Sequence, residues 1–544
     1  MSIGIGYCIP NRRGISWSSY WATRNPTLLN VTGMRDTEID FSWTDNSAGD
    51  CSFAIYRSTD GVNYSSVGTT VAGDTTYTAT GLTAGNLYYF YVVGVKSGNE
   101  SDPTNIYDTR FKITVDTTKA GSAADTFVLP NYSSGTYDYY VDWGDGGAEE
   151  HITTAGNHSH TYAAGGSYQV KIRGTMPQIY FNGGGDKAKL TTIDNWGNIA
   201  WSSMYAAFYG CSNMTGNYTD APNLSAVTSM YVMFYNCSSF NQSVSNFNTA
   251  KVTNMYAMFF GCSSFNQSVS NFNTAEVTNM SRMFYNCSSF NQSVSNFNTA
   301  KVTNMSCMFR GCSSFNQSVS NFNTAKVTDM SYMFYGCSSF NQSVSNFNTA
   351  AVTDMYRMFY NCSSFNQSVS NFNTAKVGSM AYMFRNCSSF NQSVSNFNIA
   401  AVTDISFMFL GCNINAAGTT TNYDATLVAW AAQDAPNSLN FHGGTSKYGE
   451  GLVENGTTDG AAANKLIQSG QNFLTTVTVG DVVYNTTDGT YALVTAIDSD
   501  TQLSISADIM ANAEVYRIQH SAAAKARASL ILNDLWTITD GGYL

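Results

Sequence analysis

The residues in this chain that could do chemistry recur at fixed offsets from a cysteine. The string CSSFNQSVSNFN begins at Cys237, Cys262, Cys287, Cys312, Cys337, Cys362 and Cys387, a period of 25, with degenerate copies at Cys211 and Cys412. Between these strings the copies differ, at Tyr256/Ala257/Phe260, Ser281/Arg282/Tyr285, Ser306/Cys307/Arg310, Ser331/Tyr332/Tyr335, Tyr356/Arg357/Tyr360 and Ala381/Tyr382/Arg385. Free drift on a solvated surface yields Lys, Glu, Asp and Thr, whereas Tyr and Arg dominate here. A rigid ring or planar guanidinium loses little entropy on docking, so these types point to recognition. The candidate binding set is therefore Tyr256, Phe260, Arg282, Tyr285, Arg310, Tyr332, Tyr335, Tyr356, Arg357, Tyr360, Tyr382 and Arg385, with a glycan or surface protein as ligand. The invariant half of each repeat, a flat column of Asn, Gln and Ser, is the second candidate surface.

Catalysis is not expected. An enzyme needs a converging acid, base or nucleophile, and the five histidines, at 151, 158, 160, 442 and 520, offer no Ser-His-Asp or Cys-His arrangement. No GxSxG, P-loop or dinucleotide fingerprint occurs, and no cofactor is implied. Asp142, Asp145, Glu149, Glu150, His158 and His160 crowd one stretch without regular metal-ligand spacing, so a tight turn and a strand edge account for them. Nine cysteines at one repeat position, with no CxxC, read as a column of buried reduced thiols.

The elements that must carry the variable positions follow from periodicity. In VTNMYAMFFGC, Met255, Met258, Phe259 and Cys262 fall at i, i+3, i+4 and i+7, one face of a short helix with Thr253 as N-cap. Phe240, Gln242 and Val244 alternate with polar residues, which predicts a short strand. One such unit cannot enclose its own apolar face, so the copies must stack into a solenoid. At roughly 4.8 Å per repeat, eight intervals give a stack about 40 Å long.

The composition limits the alternatives. The chain has 544 residues, 26 Lys+Arg and 37 Asp+Glu, a net charge of −11. Roughly 150 residues per domain suggests three or four domains. Charged residues are 12% and aromatics 14%, too aromatic for a disordered acidic tail. Nucleic-acid binding is not expected without a Lys/Arg stripe, nor membrane insertion without a run of 18 apolar residues.

The unit V-T-x-M-x-x-M-F-x-x-C-x-S-F-N-Q-x-V-x-x-F resembles the BspA-type leucine-rich-repeat surface proteins. The resemblance extends through DTTKAGSAADTFVLP, VDWGDG, HTYAAGGSYQVKI, YDATLVAW, LNFHGG and the terminal LWTITDGG. It implies a surface-exposed binding or adhesion protein. FSWTD with Trp43, then Leu82, Gly85 and Tyr88 placed as in a tyrosine corner, resembles a fibronectin type III domain. Trp143-Gly144-Asp145-Gly146 with His160-Thr161-Tyr162 resembles a PKD-type sandwich. The fold class is thus multi-domain: two all-β sandwiches, then an α/β solenoid of 25-residue coils with a carboxyl cap that holds an inserted β module. The expected organisation is a docking segment (1–24), a fibronectin III-like domain (25–108), a PKD-like sandwich (109–177) and the repeats (178–412). The cap follows in two parts (413–455 and 520–544), separated by the insert (456–519).

Residues 1–24, with Trp17 and Trp21 among spaced glycines, resemble phage virion openings, and the Val- and Thr-rich insert resembles short β modules of phage structural proteins. The first ten residues lack a basic n-region and a long apolar h-region. The expectation is a bacteriophage virion surface protein, of the tail-fibre or head-fibre type, that attaches to a host-cell receptor. Residues 1–24 would contact other virion proteins, and homo-oligomer formation is compatible with such a chain. A bacterial surface adhesin and a purely structural decoration protein are the alternatives.

Overall fold

The computed structural model describes residues 17–412, 414 and 421–543. It divides into two compact units, Met1–Val277 and Thr278–Leu544.

The first unit opens with a β-sandwich. One sheet holds Thr27–Arg35, Glu38–Thr44 and Thr76–Ala79; the other holds Ser65–Thr69, Ser52–Ser58, Tyr89–Lys96 and Asn99–Glu100, with Tyr107–Asp108 also paired to Tyr89–Lys96. Alternate residues point inward, so Ile39, Phe41, Phe53, Ile55, Phe90 and Val92 form a closed core. The Tyr88 hydroxyl accepts the Thr83 N–H at 3.2 Å, the corner bond expected of this fold.

The docking stretch read from residues 1–24 lies outside the described residues up to residue 16. Its remainder is not free. Trp21 is buried against Gly94, and Arg24 and Lys96 sit over the Tyr20 ring at 4.8 and 5.1 Å. An indole held in reserve for a partner is instead covered by the chain's own sheet.

A second β domain follows. Its six-stranded sheet runs Glu150–Ile152, Asp138–Asp142, Ser167–Thr175, Phe111–Asp116, Leu190–Asn195, Thr215–Gly216, and a two-stranded sheet pairs Thr126–Leu129 with His158–Thr161. The sheet therefore does not stop at residue 177. Leu190–Asn195 pairs antiparallel with Phe111–Asp116, and Thr215–Gly216 adds in parallel. Thr215–Gly216, which follows the first repeat cysteine, Cys211, is the last strand of that sheet. Asp220 ties the two domains to the first repeats: it accepts the Tyr107 hydroxyl (3.0 Å) and the Trp196 and Gly197 N–H groups (2.9 and 2.7 Å). Burial pushes its carboxyl up to about 6, against the pull of those backbone bonds.

The seven repeats that begin at Cys237 to Cys387 contain neither the helix nor the strand expected of them, whereas the degenerate copy at Cys211 carries the short strand Thr215–Gly216. In the second unit, the N–H groups of Met330, Tyr332, Phe334 and Gly336 bond to carbonyls 24 residues on, in the next repeat, at 2.7–3.1 Å. The alternating N–H groups of Met333, Tyr335 and Cys337 close turns onto the residue three back. A helix would send every one of them to i−4. Two left-handed residues per repeat, such as Tyr332 (φ 57°) and Gly336 (φ 72°), enforce the alternation. Met330, Met333, Phe334 and Cys337 still all face inward and are fully buried. The helical spacing is thus honoured by a run of turns that happens to share it. One isolated parallel bridge joins neighbouring repeats, as at Asp329 with Asp354.

Inside, aromatic rings stack from repeat to repeat. Phe309 lies 5.7 Å from both Phe284 and Phe334, and 4.2 Å from Phe315 in its own repeat. The cysteines are buried and free among the described residues. The thiols of Cys237, Cys262, Cys312, Cys337, Cys362, Cys387 and Cys412 each donate to a phenylalanine carbonyl of the preceding repeat, for example Cys337 Sγ to Phe309 O at 3.0 Å and Cys412 Sγ to Phe384 O at 2.8 Å. Burial raises the Cys412 thiol to about 12.

The last repeat hands its ladder to the cap through Phe409 N–H to His442 O, 3.0 Å. The cap packs helix Thr421–Ala431 on helix Ala522–Leu532 and pairs Asn440–His442 with Thr537–Thr539 in parallel. Between its halves lies a six-stranded sheet with its own core of Leu466, Phe473, Val483, Leu503, Tyr516 and Ile518. Its first and last strands, Leu452–Thr457 and Val515–Gln519, pair with each other, so the module leaves the cap where it entered.

Candidate ligand-binding face

The invariant column and the variable face are made differently. In the column, Asn341 Oδ1 accepts Asn366 N–H (3.0 Å) and Gln367 Nε2 (3.0 Å). Asn346 Nδ2 donates to the carbonyls of Val319 and Phe322 (3.0 and 2.9 Å), and Thr349 Oγ1 to Asn373 O (2.9 Å). The exposed serines bond each other, as Ser343 to Ser345 at 3.0 Å. These side chains are the inter-repeat bonding of a segment that has no strand ladder. Their identity across seven copies needs no ligand to explain it.

The variable positions lie on the turn segment, and one of them is left-handed in every repeat. In the second unit these are Arg282, Cys307, Tyr332, Arg357, Tyr382 and Phe407, with φ between 54° and 58°. Such a conformation costs about 1–3 kcal/mol for a bulky residue. It is held because the residue's N–H bonds forward, as Arg357 N to Ala381 O at 3.1 Å, while its carbonyl takes the N–H three on, as Tyr360 N to Arg357 O at 3.2 Å. The second left-handed position, before each cysteine, is always Gly or Asn: 210, 236, 261, 286, 311, 336, 361, 386 and 411. Those two types alone enter that region readily. This Gly/Asn restriction was the available signal against a helix.

The candidate residues of the second unit interlock. Arg310 lies over the rings of Tyr285, Tyr332 and Tyr335 at 4.7–4.9 Å, and Arg357 over Tyr356 and Tyr382 at 4.9 and 4.7 Å. Arg385 sits over Tyr360 and Tyr382, both at 5.5 Å. Tyr335 stacks on Tyr360 at 4.7 Å and 9°. Arg282 is exposed, and the others are half-buried by one another. Burial raises the Tyr332 phenol, and it likewise raises the Cys307 thiol despite the two neighbouring guanidiniums. Asp329 and Asp354 are turned back onto their own repeats, accepting the N–H of Ser331 (2.9 Å) and Tyr356 (2.7 Å).

In the first unit, Tyr256 and Phe260 belong to two ring columns. Tyr205, Tyr231 and Tyr256 stack at 5.0 and 4.8 Å, and Tyr209, Tyr235 and Phe260 follow at 4.5 and 4.2 Å. Buried Ala206, Val232 and Ala257 floor them. The first column continues onto the second β domain through Tyr180 and Tyr132. Sequence reading missed Tyr205, Tyr209, Tyr231 and Tyr235, although each stands six or two residues before its cysteine, as Tyr256 and Phe260 do.

The acidic and histidine residues of the second β domain each have a partner. Asp142 pairs with Lys171 (2.8 Å), Asp145 with His160 (2.9 Å), Glu149 with Arg173 (2.6 Å), and Glu150 accepts Trp143 Nε1 (2.8 Å). His158 Nε2 lies 3.1 Å from Thr154 O.

Residues 202–322 and 303–423 match the family described as "Mycoplasma protein of unknown function, DUF285", and residues 24–109 match the fibronectin type III domain. A Fn3-like protein from Clostridium thermocellum is 27% identical over 16% of this chain and 91% of its own, with a TM-score of 0.15. A two-domain fibronectin type III segment of chicken tenascin is 16% identical over 27% of this chain and 89% of its own, also at 0.15. No curated protein matches the chain. Together the two matches suggest a surface or adhesin-like repeat protein with a fibronectin type III domain ahead of its repeats. Among the described residues, no helix is long and apolar enough to cross a membrane.

Proposed function

We propose that the chain acts by binding, without catalysis, and that its repeats form a solenoid presenting the Tyr/Arg face to a receptor on a host-cell surface. The supporting observation is the division of labour within each repeat. The invariant Asn, Gln and Thr side chains bond neighbouring repeats, whereas Tyr and Arg gather on the turn segment, where Arg282, Tyr332, Arg357 and Tyr382 are held left-handed by the ladder. Backbone held in a sparsely populated region is a recurrent feature of ligand sites.

The proposed setting is a bacteriophage virion, in a tail-fibre or head-fibre protein. The β module set into the cap supports this, through the resemblance of its Val- and Thr-rich sequence to short β modules of phage structural proteins. A bacterial surface adhesin is the second reading, favoured by a repeat family described from Mycoplasma. The test is fluorescently labelled full-length protein applied to a panel of bacterial cells. Replacing Tyr332, Tyr335, Tyr356 and Arg357 together by Ser should abolish labelling while the melting transition persists. Undiminished labelling by a folded variant would refute the binding face.

A further inference from the structure

The rings of the candidate face stack on one another, and this changes what a ligand would meet. Tyr335 and Tyr360 lie nearly parallel and stacked, and guanidiniums cover Tyr332, Tyr356 and Tyr382. Ring planes that would otherwise receive a neutral sugar are already occupied. What projects is an array of ring edges and guanidinium groups.

Those guanidiniums lack the partner they would normally have. Among the described residues no carboxylate forms an ion pair with Arg310, Arg357 or Arg385, in a chain that carries 37 Asp and Glu. Arg357 Nε and Arg385 Nε are buried with no hydrogen-bond acceptor. The nearby acids Asp329 and Asp354 accept from their own repeats instead. By contrast, Arg35, Arg110, Arg173, Arg517 and Arg527, elsewhere in the chain, each have a carboxylate within reach. A planar fork held rigid between rings, with no carboxylate of the chain paired to it, is preorganised for a carboxylate or sulfate oxygen pair.

The three arginines recur along the repeats. Arg357 stands two repeats after Arg310, and Arg385 one repeat later, roughly 10 Å and 5 Å along a stack with strand-like spacing. Serial cations favour a ligand with serial anions, through effective concentration. We infer that this face binds an anionic polysaccharide, whose carboxylates or sulfates pair with the guanidiniums of Arg310, Arg357 and Arg385. The inference rests on the binding-face reading above and adds the class of ligand.

The test uses the full chain, immobilised, with four probes: a polyuronate, dextran sulfate, neutral dextran and duplex DNA. Wild type should retain the polyuronate or dextran sulfate, and which of the two binds better identifies the acidic group. Neutral dextran and DNA should bind at least tenfold more weakly. The triple variant Arg310→Gln, Arg357→Gln, Arg385→Gln keeps every ring and should lose binding more than tenfold. The matching Arg→Lys triple retains charge but not the fork, secures the test if the Gln triple fails to fold, and should weaken binding severalfold. Equal retention of neutral dextran, equal capture by DNA, or full binding by either folded triple would overturn the inference. Cell labelling that survives the Gln triple but fails with the Tyr332/Tyr335/Tyr356/Arg357→Ser variant would overturn the acidic ligand alone. Labelling that survives both would overturn the binding-face reading itself.

Discussion

The repeats of residues 202–277 and those of 278–412 are built on one backbone but offer different surfaces. In the first group the face is two columns of stacked rings over an aliphatic floor, without a charge among them. In the second, guanidiniums are set between the rings. Turn geometry, thiol bonds and the Asn column are common to both, as Cys262 Sγ to Phe234 O and Cys362 Sγ to Phe334 O at 2.9 Å illustrate. Scaffold and face are therefore separable, and chemistry is changed on the face without altering the fold.

The largest expected effect is on the scaffold. Phe309→Ala empties a fully buried site stacked on both neighbouring repeats, where the ladder prevents collapse into the gap. It should cost about 3–5 kcal/mol in denaturant unfolding, whereas Tyr335→Ser on the face should cost under about 1 kcal/mol. Similar losses from the two would erase the distinction.

Asp220 should give the next effect. In the folded chain its carboxyl holds a proton up to about pH 6, against 3.8 for the ordinary group. The stability it contributes is complete below pH 4 and is lost as pH rises through 6, by about 3 kcal/mol, at about 1.4 kcal/mol per pKa unit. Asp220→Asn should flatten that slope in melting curves taken between about pH 4 and 7. An unchanged slope would assign it to another group.

The smaller effects concern the left-handed positions and the thiols. Gly311 has φ 76°, and a Cβ there would meet Asn286 Oδ1. Gly311→Val should cost about 1–3 kcal/mol. Gly311→Asn should cost less, because Asn386 follows Asn361 in the same column and donates to its Oδ1 at 2.8 Å. Native alkylation should leave Cys312 to Cys412 unlabelled until denaturant is added. Rapid labelling of the folded chain would mean that the repeats open.

Much of the scaffold was legible in the sequence, since a 25-residue period with apolar residues at constant offsets leaves few ways to bury them. The fibronectin type III domain was legible for the same reason, through Trp43, Leu82 and Tyr88. The element type was not. Met330, Met333, Phe334 and Cys337 satisfy a helical spacing that a pair of turns also satisfies, and only the Gly/Asn restriction before each cysteine separates the two. The strands at 190–195 and 215–216 were missed because pairing with Phe111–Asp116 is decided far away in sequence. Types alone located the Tyr and Arg positions, but not the fact that each ring is covered by its neighbour.

The central claim is that face and scaffold are separable, and transplanting the face tests it most directly. Arg282→Ala, Arg310→Phe, Arg357→Ala and Arg385→Phe would give the second unit the uncharged lining of the first. The melting temperature, read together with retention on the acidic polysaccharide, decides the matter. The account predicts a melting temperature within about 2 °C of wild type, a change of about 1 kcal/mol for a unit of this size, together with loss of retention. Cooperative unfolding lost along with binding, or binding kept intact, would contradict it.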